Sequence, residues 1–331
     1  MNNRERVAAV LNGQKPDRLP MVEWATWWDL TTSRWQKEGA PAQTGPDTLQ
    51  NWFGLDPLRQ IWLGIRSGDI PQPVSHGAGI LTDEDDYNRL HHCLFTEEPL
   101  EDALACAREW QKGHEQGDYA QWLTLEGFFW FPRTLFGIEN HLYAFYDEPE
   151  LMHRMNRELT EYYLHVLERL LPIMEPEFMT FAEDLSYNHG PMISKELFDE
   201  FMAPYYRKLI PVLKQAGVRV LIDTDGDVEP LIPWFEEVGI EGVLPLERQA
   251  GVDVNRIRRN HPQWIMIGGY DKTIIHLGEE AMRREFERIL PAMKSRRYIP
   301  SVDHQTPPDV SVEQYRIYRG LLEEYARKTV E

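Results

Sequence analysis

The chain has 331 residues with 42% hydrophobic content, and its 54 acidic and 35 basic residues give a formal net charge of −19. This charge argues against nucleic-acid binding and against an anionic membrane surface, because phosphate groups would be repelled. Two cysteines are too few for a disulfide framework, and no apolar signal segment or run of about 18 apolar residues occurs. We therefore expect a globular cytoplasmic protein.

The first third of the chain predicts little regular structure. The pattern indicates a helix over residues 4–11, a strand over residues 18–24 and a helix over residues 27–37. Residues 45–95 do not alternate between strand and helix patterns and contain turn-rich and acidic stretches. We interpret them as an irregular insertion, such as a small hairpin, although one strand can lie after Asn51.

From residue 100 onward, strand and helix patterns alternate regularly. Each apolar run ends in polar or acidic residues, and the runs cover residues 122–126, 178–182, 219–222, 242–246, 264–267 and 298–301. This alternation is typical of a parallel sheet covered by helices. With residues 18–24, seven strands are recognised, and the eighth is expected after Asn51. We therefore predict an α/β fold, a (β/α)8 TIM barrel forming a single domain over residues 1–331.

Acidic side chains follow nearly every predicted strand. The strand ends of a barrel converge at one face, which here brings together Glu23, Glu126, Glu183, Asp184, Asp223, Asp225, Glu247, Asp271, Asp303 and His304. Crowded carboxylates repel each other and raise their pKa values unless a cation or shared protons relieve the repulsion. The pattern favours a divalent metal or a cationic substrate. A protonated carboxylate acting as general acid, or an aspartate that only caps the next helix, are the alternatives.

Aromatic residues follow two of the predicted strands. One cluster contains Trp24 and Trp27, and the other, over residues 128–131, contains Trp130. They either pack in the core or line a pocket at the barrel opening. The glycines before Tyr270 and Asp271 either allow a ligand to approach the backbone or only give the strand room to turn. We predict that the substrate contacts Glu23, Trp24, Trp27, Glu126, Trp130, Tyr270 and Asp271.

Three segments resemble the uroporphyrinogen decarboxylase (URO-D) superfamily. Residues 4–20 resemble its opening, residues 268–271 resemble its Gly-Gly-Ile-Asp segment, and residues 299–311 resemble the last strand and loop of its decarboxylase-like, methyltransferase-related branch. The resemblance covers most of the chain. It implies a (β/α)8 barrel with the site at the carboxyl ends of the strands, and it is compatible with a homodimer.

The two activities of this superfamily use different residues. Uroporphyrinogen decarboxylases carry an Arg-Gln-Ala-Gly-Arg segment after the first strand, whereas residues 23–29 contain no arginine here. The methyltransferase branch binds zinc through His-x-Cys and a later cysteine. The matching positions in this chain are Asp223 and Asp225, followed later by Asp303 and His304, so both thiolates are replaced by harder ligands.

The resemblance implies an enzyme, and the leading hypothesis is a metal-dependent methyltransferase. It would move a methyl group from a small methoxylated aromatic or amine donor to a corrinoid carried by a partner protein. Asp223, Asp225 and His304, with Asp303, would hold a divalent metal such as zinc, and the acid–base residues would be Glu183, Asp184 and Glu247. The alternatives are a decarboxylase or other lyase of a carboxylated small molecule, including a tetrapyrrole, and a non-catalytic ligand-binding barrel.

Overall fold

Seven parallel strands form one sheet at the centre of the molecule. The structure, a computed structural model, describes residues 1–330. The sheet has the order β1-β2-β3-β6-β7-β8-β9, and β4 and β5 form a separate antiparallel pair. The strands are β1 (Leu58–Trp62), β2 (Ala120–Glu126), β3 (Phe178–Ala182), β4 (Ser186–Tyr187), β5 (Gly190–Pro191), β6 (Arg219–Asp223), β7 (Gly242–Leu244), β8 (Ile265–Tyr270) and β9 (Tyr298–Val302).

Helices connect the strands and cover the sheet. They are α1 (Asn3–Leu11), α2 (Asp29–Lys37), α3 (Thr48–Phe53), α4 (Glu84–Leu90), α5 (Glu97–Gln116), α6 (Trp130–Phe136), α7 (Ile138–Asp147), α8 (Pro149–Met174), α9 (Lys195–Phe201), α10 (Ala203–Gln215), α11 (Ile232–Val238), α12 (Val254–Asn260), α13 (Glu279–Met293) and α14 (Val312–Lys328). Within residues 1–330, no helix is long and apolar enough to cross a membrane.

Most strands of the main sheet are buried along their whole length. Every residue of β2, β3 and β8 is buried. Strands with helices on both faces need apolar side chains on both faces, which explains their continuous apolar runs. The six strand predictions after residue 100 are confirmed, with small shifts at the ends.

The prediction of a first strand over residues 18–24 is wrong. This segment is not part of the ladder, but it lies between the two edges of the sheet. The Trp24 Nε1–H donates to the carbonyl oxygen of Val302 in β9 (2.8 Å), and the Asp56 N–H, just before β1, donates to the carbonyl oxygen of Met21 (2.8 Å). The fold is therefore a curled seven-stranded sheet with an irregular segment between its edges, and a complete eight-stranded barrel is not confirmed.

The expected insertion over residues 45–95 contains a strand of the main sheet. β1 pairs in parallel with β2, from Leu58 opposite Ala120 to Trp62 opposite Thr124. The strand expected after Asn51 is thus present, and the hairpin interpretation is wrong for this stretch. Only part of β1 is buried, in the pattern of an edge strand, which explains why its sequence lacks a clear apolar run.

Side-chain caps begin two of the helices. The Ser311 and Gln314 side chains form a capping box at α14, and the Ser194 side chain accepts from the Leu197 N–H at α9. The segment from Ser194 to Gln215 forms two helices, α9 and α10. The break at Met202 precedes Pro204, which favours the first turn of a new helix.

Candidate active site

A cavity of about 300 Å³ opens at the carboxyl ends of the strands. Its walls come from β1, β2, the loops after β3, β6 and β9, and the irregular segment between the sheet edges. The lining residues are Trp24, Ala25, Thr26, Gln60, Trp62, Trp122, Asp184, Asp223, Asp225, His304 and Gln305. A larger cavity of about 620 Å³ lies at the opposite end, near Glu177 and Arg219. Its charged residues Arg4 and Arg219 are already paired with Glu177 and Glu241, so we do not take it as the site.

Asp225, Glu247 and His304 form a cluster beside the carboxyl-end cavity. One ligand atom from each residue lies within 4.8 Å of the others, and all three side chains are half-buried. The distance from Asp225 Oδ2 to His304 Nε2 is 3.8 Å. That separation is too long for a hydrogen bond and short enough for one shared cation. Two of the four predicted metal ligands, Asp225 and His304, are therefore brought together, with Glu247 as the third member.

Local contacts hold the cluster in place. The Gly226 N–H donates to Glu247 Oε2 at 3.0 Å. Gly226 has φ +81°, and a Cβ there would lie 2.6 Å from the backbone of Tyr187, so the turn needs glycine. The edge of the His304 ring meets Trp24, with ring centroids 6.1 Å apart. These contacts orient Glu247 and His304 without using the side chain of Asp225.

Burial and neighbouring carboxylates raise the pKa values of the aspartates around the cavity. Burial raises the pKa of Asp225 to about 7, with further contributions from Glu247 and Asp184. Burial also raises the pKa of Asp223 well above its usual range, helped by Asp184 and Asp225. The pKa of His304 is lowered by burial and by Lys272, which favours the neutral imidazole that binds metals. A bound cation would relieve the repulsion among these carboxylates.

Asp303, a predicted ligand, is not one of the three residues of the cluster. Its buried carboxylate accepts from the Arg248 N–H (2.9 Å) and the Lys272 N–H (3.0 Å) and so ties together the loops after β7 and β8. Burial raises its pKa to about 6 against the effect of Lys272. The Lys272 Nζ lies 3.8 Å from Asp303 and 3.9 Å from Glu247, which places a fixed positive charge beside the cluster.

Glu183 lies in the interior, away from the cavity lining. Its carboxylate accepts from the backbone N–H groups of Phe128 (2.8 Å), Phe129 (2.8 Å) and Trp130 (2.9 Å), and from the Tyr206 hydroxyl. Burial raises its pKa to about 7, against these hydrogen bonds. Glu183 thus anchors the start of α6, while its neighbour Asp184 turns into the cavity.

Glu23 and Glu126 are also buried and already have partners. Glu23 accepts from Ser301 Oγ (3.1 Å) and the Tyr315 hydroxyl (2.7 Å), and burial raises its pKa to about 8. Glu126 forms an ion pair with Arg66. Neither carboxylate lines the carboxyl-end cavity.

The predicted aromatic residues divide between cavity and core. Trp24 lines the cavity, whereas Trp27 packs in the core against Trp35 and Tyr315. Three further predicted contacts lie elsewhere, namely Trp130 beside Arg133, Tyr270 buried against Phe286, and Asp271 accepting from the Thr273 N–H.

Sequence reasoning missed six lining residues, which are Ala25, Thr26, Gln60, Trp62, Trp122 and Gln305. Trp122 begins a correctly predicted strand, and the register between β1 and β2 places it opposite Gln60. Pairing the β1 segment with β2 would have found both residues at once.

A sequence model of uroporphyrinogen decarboxylase matches residues 133–325, more than half of the chain. The chain belongs to the uroporphyrinogen decarboxylase family. This confirms the resemblance found in the sequence. None of the curated proteins compared with this family member matches it.

Solved structures support the fold. A methyltransferase from Methanosarcina mazei is 14% identical, with a TM-score of 0.67, over 98% of this chain and 99% of that one. A putative vitamin-B12-independent methionine synthase from Listeria monocytogenes is 11% identical, with a TM-score of 0.44, over 94% and 95% of the two chains. At these identities the first likeness shows a shared fold only, and the second carries no argument.

Proposed function

We propose that this family member is a metal-dependent methyltransferase. It would take a methyl group from a small methoxylated aromatic or amine donor and pass it to a corrinoid held by a partner protein. The observation that carries the proposal is the position of the Asp225–Glu247–His304 cluster beside a small cavity with tryptophan walls. The shared fold of the Methanosarcina mazei methyltransferase agrees with it.

The three side chains fit a catalytic metal. Carboxylate oxygens and an imidazole nitrogen are both zinc ligands, and three protein ligands leave a fourth position for a substrate. Asp225 and His304 both line the cavity, so that position would face the donor. Because the cluster contains no thiolate, it suits zinc, manganese or iron better than a metal that prefers sulfur.

The surrounding residues would prepare the donor for transfer. When bound, the metal supplies a Lewis acid that polarises the donor atom carrying the methyl group. Trp24, Trp62 and Trp122 would hold the donor and keep water from it, since aromatic rings bury flat or methylated groups well. Asp184 lines the same cavity beside these rings, where its carboxyl group would contact the donor.

The lyase alternative receives less support from the cavity. A decarboxylase of a carboxylated substrate needs cations to hold the carboxylates. Within residues 1–330 the lining contains three aspartates and no lysine or arginine. The non-catalytic alternative predicts ligand binding without turnover, which the following experiment separates from methyl transfer.

The test is methyl transfer by the purified protein. Protein supplied with zinc is incubated with a reduced corrinoid protein and a panel of methoxylated benzenes and methylated amines, and methylcobamide is followed by its absorbance. We expect product with at least one donor, and at least a hundredfold slower formation for Asp225→Ala and His304→Ala. His92→Ala, an exposed histidine in a different region, is the matched control. No methylcobamide with any donor would refute the proposal.

A further inference from the structure

The charge of the carboxyl-end cavity is unbalanced. Asp184, Asp223 and Asp225 line it, and no lysine or arginine of residues 1–330 does. The nearest cation to Asp184 is Arg133, whose Nη1 lies 3.9 Å from Oδ2, beyond a hydrogen bond. No hydrogen bond contributes to the environment of the Asp223 carboxylate. A metal at the Asp225 cluster would leave Asp223 without a counterion of its own and Asp184 with Arg133 alone.

The same cavity has three indole walls, of which Trp24 and Trp122 are held in place by other residues. The Trp24 Nε1–H donates to the carbonyl oxygen of Val302 (2.8 Å). A ligand in the cavity would therefore contact the ring of Trp24 and not its N–H group. Trp122 is stacked on Phe178, with centroids 5.2 Å apart and planes 24° apart. Trp62 is 50% exposed at the carboxyl end of β1. Indole faces attract cations, and carboxylates beside them strengthen that attraction.

We infer that the donor carries a cationic ammonium nitrogen, methylated or protonated, separate from the atom that would face the metal, and that this nitrogen lies beside Trp62 and Trp122 and faces Asp184 and Asp223. The inference rests on the proposed function only in identifying the ligand as the methyl donor. A neutral aromatic donor would use the indole walls but would leave the Asp223 carboxylate without a partner. A cavity of about 300 Å³ is at the small end of ligand sites, which suits a compact ammonium compound.

The test compares two probes that differ in charge and share a shape. Choline and 3,3-dimethylbutan-1-ol carry the same hydroxyl and the same three methyl groups, but on a charged nitrogen and a neutral carbon. Their binding to the purified full-length protein is measured by isothermal titration calorimetry without corrinoid. We expect choline to bind at least tenfold more tightly. Equal affinities, or no binding of choline, would overturn the inference.

Two variants locate the binding site. Asp184→Asn keeps the shape and suits the positive φ of this residue (+44°), and Trp62→Leu removes an indole that is partly exposed. Each should weaken choline binding about fivefold with an unchanged melting temperature. Trp28→Leu, a 42% exposed tryptophan outside the lining, is the control. Unchanged affinity in both cavity variants would overturn the inference. Selective choline binding without methyl transfer from any donor would support the cation site and refute the proposed function.

Discussion

The carboxylate of Glu183 occupies the space that a side chain at Gly127 would need, because a Cβ built on Gly127 would overlap it. Gly127→Ala must push a buried, fully hydrogen-bonded group aside. We expect it to lower the free energy of unfolding by about 3 kcal/mol, as overpacking of a core does. Urea denaturation measures the change. The control is Gly320→Ala, since a Cβ there meets nothing within 4 Å and alanine favours the helix. Equal stability of wild type and Gly127→Ala would contradict this packing.

The hydrogen bonds of Glu183 predict a graded loss of stability. Glu183→Ala leaves three buried N–H groups without an acceptor, at about 1–3 kcal/mol each, so we expect a loss of about 4 kcal/mol or more. Tyr206→Phe removes one donor and should cost about 1–2 kcal/mol. Denaturation of both variants tests the ranking. A catalytic rather than structural role would appear as lost activity with unchanged stability in Glu183→Gln.

Burial separates the acidic residues that sequence reasoning grouped together. The strand ends do bring carboxylates to one end of the sheet, as the alternating pattern predicted. Glu23, Glu126, Glu183 and Asp303 are however buried and satisfied by Tyr315, Arg66, Tyr206 and the Lys272 N–H, respectively. These partners lie far away in sequence or belong to the backbone, so no local pattern reveals them.

The cavity residues of β1 were missed for a similar reason. β1 is a short edge strand with three of its five residues incompletely buried, so its sequence lacks an apolar run. Trp62 therefore could not be assigned to a wall before the register with β2 was known. Residues 18–24 failed in the opposite way, because their apolar pattern predicted a strand that does not form. Individual hydrogen bonds hold this segment, and it has no strand ladder.

The raised pKa of the buried Glu23 predicts that the free energy of unfolding depends on pH. Burial raises its pKa in the folded protein to about 8 from 4.5, so its contribution is complete below about pH 4.5 and is lost as the pH rises through 8. Between these values the contribution should fall by about 1.4 kcal/mol per pH unit. Glu23→Gln, which cannot ionise, should remove this slope. The measurement is urea denaturation of both proteins at pH 5.5, 7 and 8.5, with the exposed Glu168→Gln as control. Parallel pH profiles for wild type and Glu23→Gln would contradict the prediction.

The cluster predicts which residues hold the metal. After dialysis against zinc, we expect near-stoichiometric metal in wild type and at least tenfold weaker binding in Asp225→Ala, Glu247→Ala and His304→Ala, because each loses a ligand atom. His92→Ala should bind like wild type. Metal content by mass spectrometry measures this without any activity assay. Full metal content in all three cluster variants would place the metal elsewhere.

The position of Lys272 predicts that its positive charge weakens metal binding at the cluster. Its Nζ lies 3.9 Å from Glu247 Oε1, so its charge repels any cation that Glu247 binds. At pH 8, where protons compete less for the ligands, Lys272→Gln should bind zinc about tenfold more tightly than wild type. Lys294→Gln, an exposed lysine at the end of α13, controls for the change in net charge. Competition with a chromogenic chelator measures the affinities. Unchanged or weaker binding in Lys272→Gln would mean that Lys272 holds Glu247 and Asp303 in position, and that its charge does not limit metal binding.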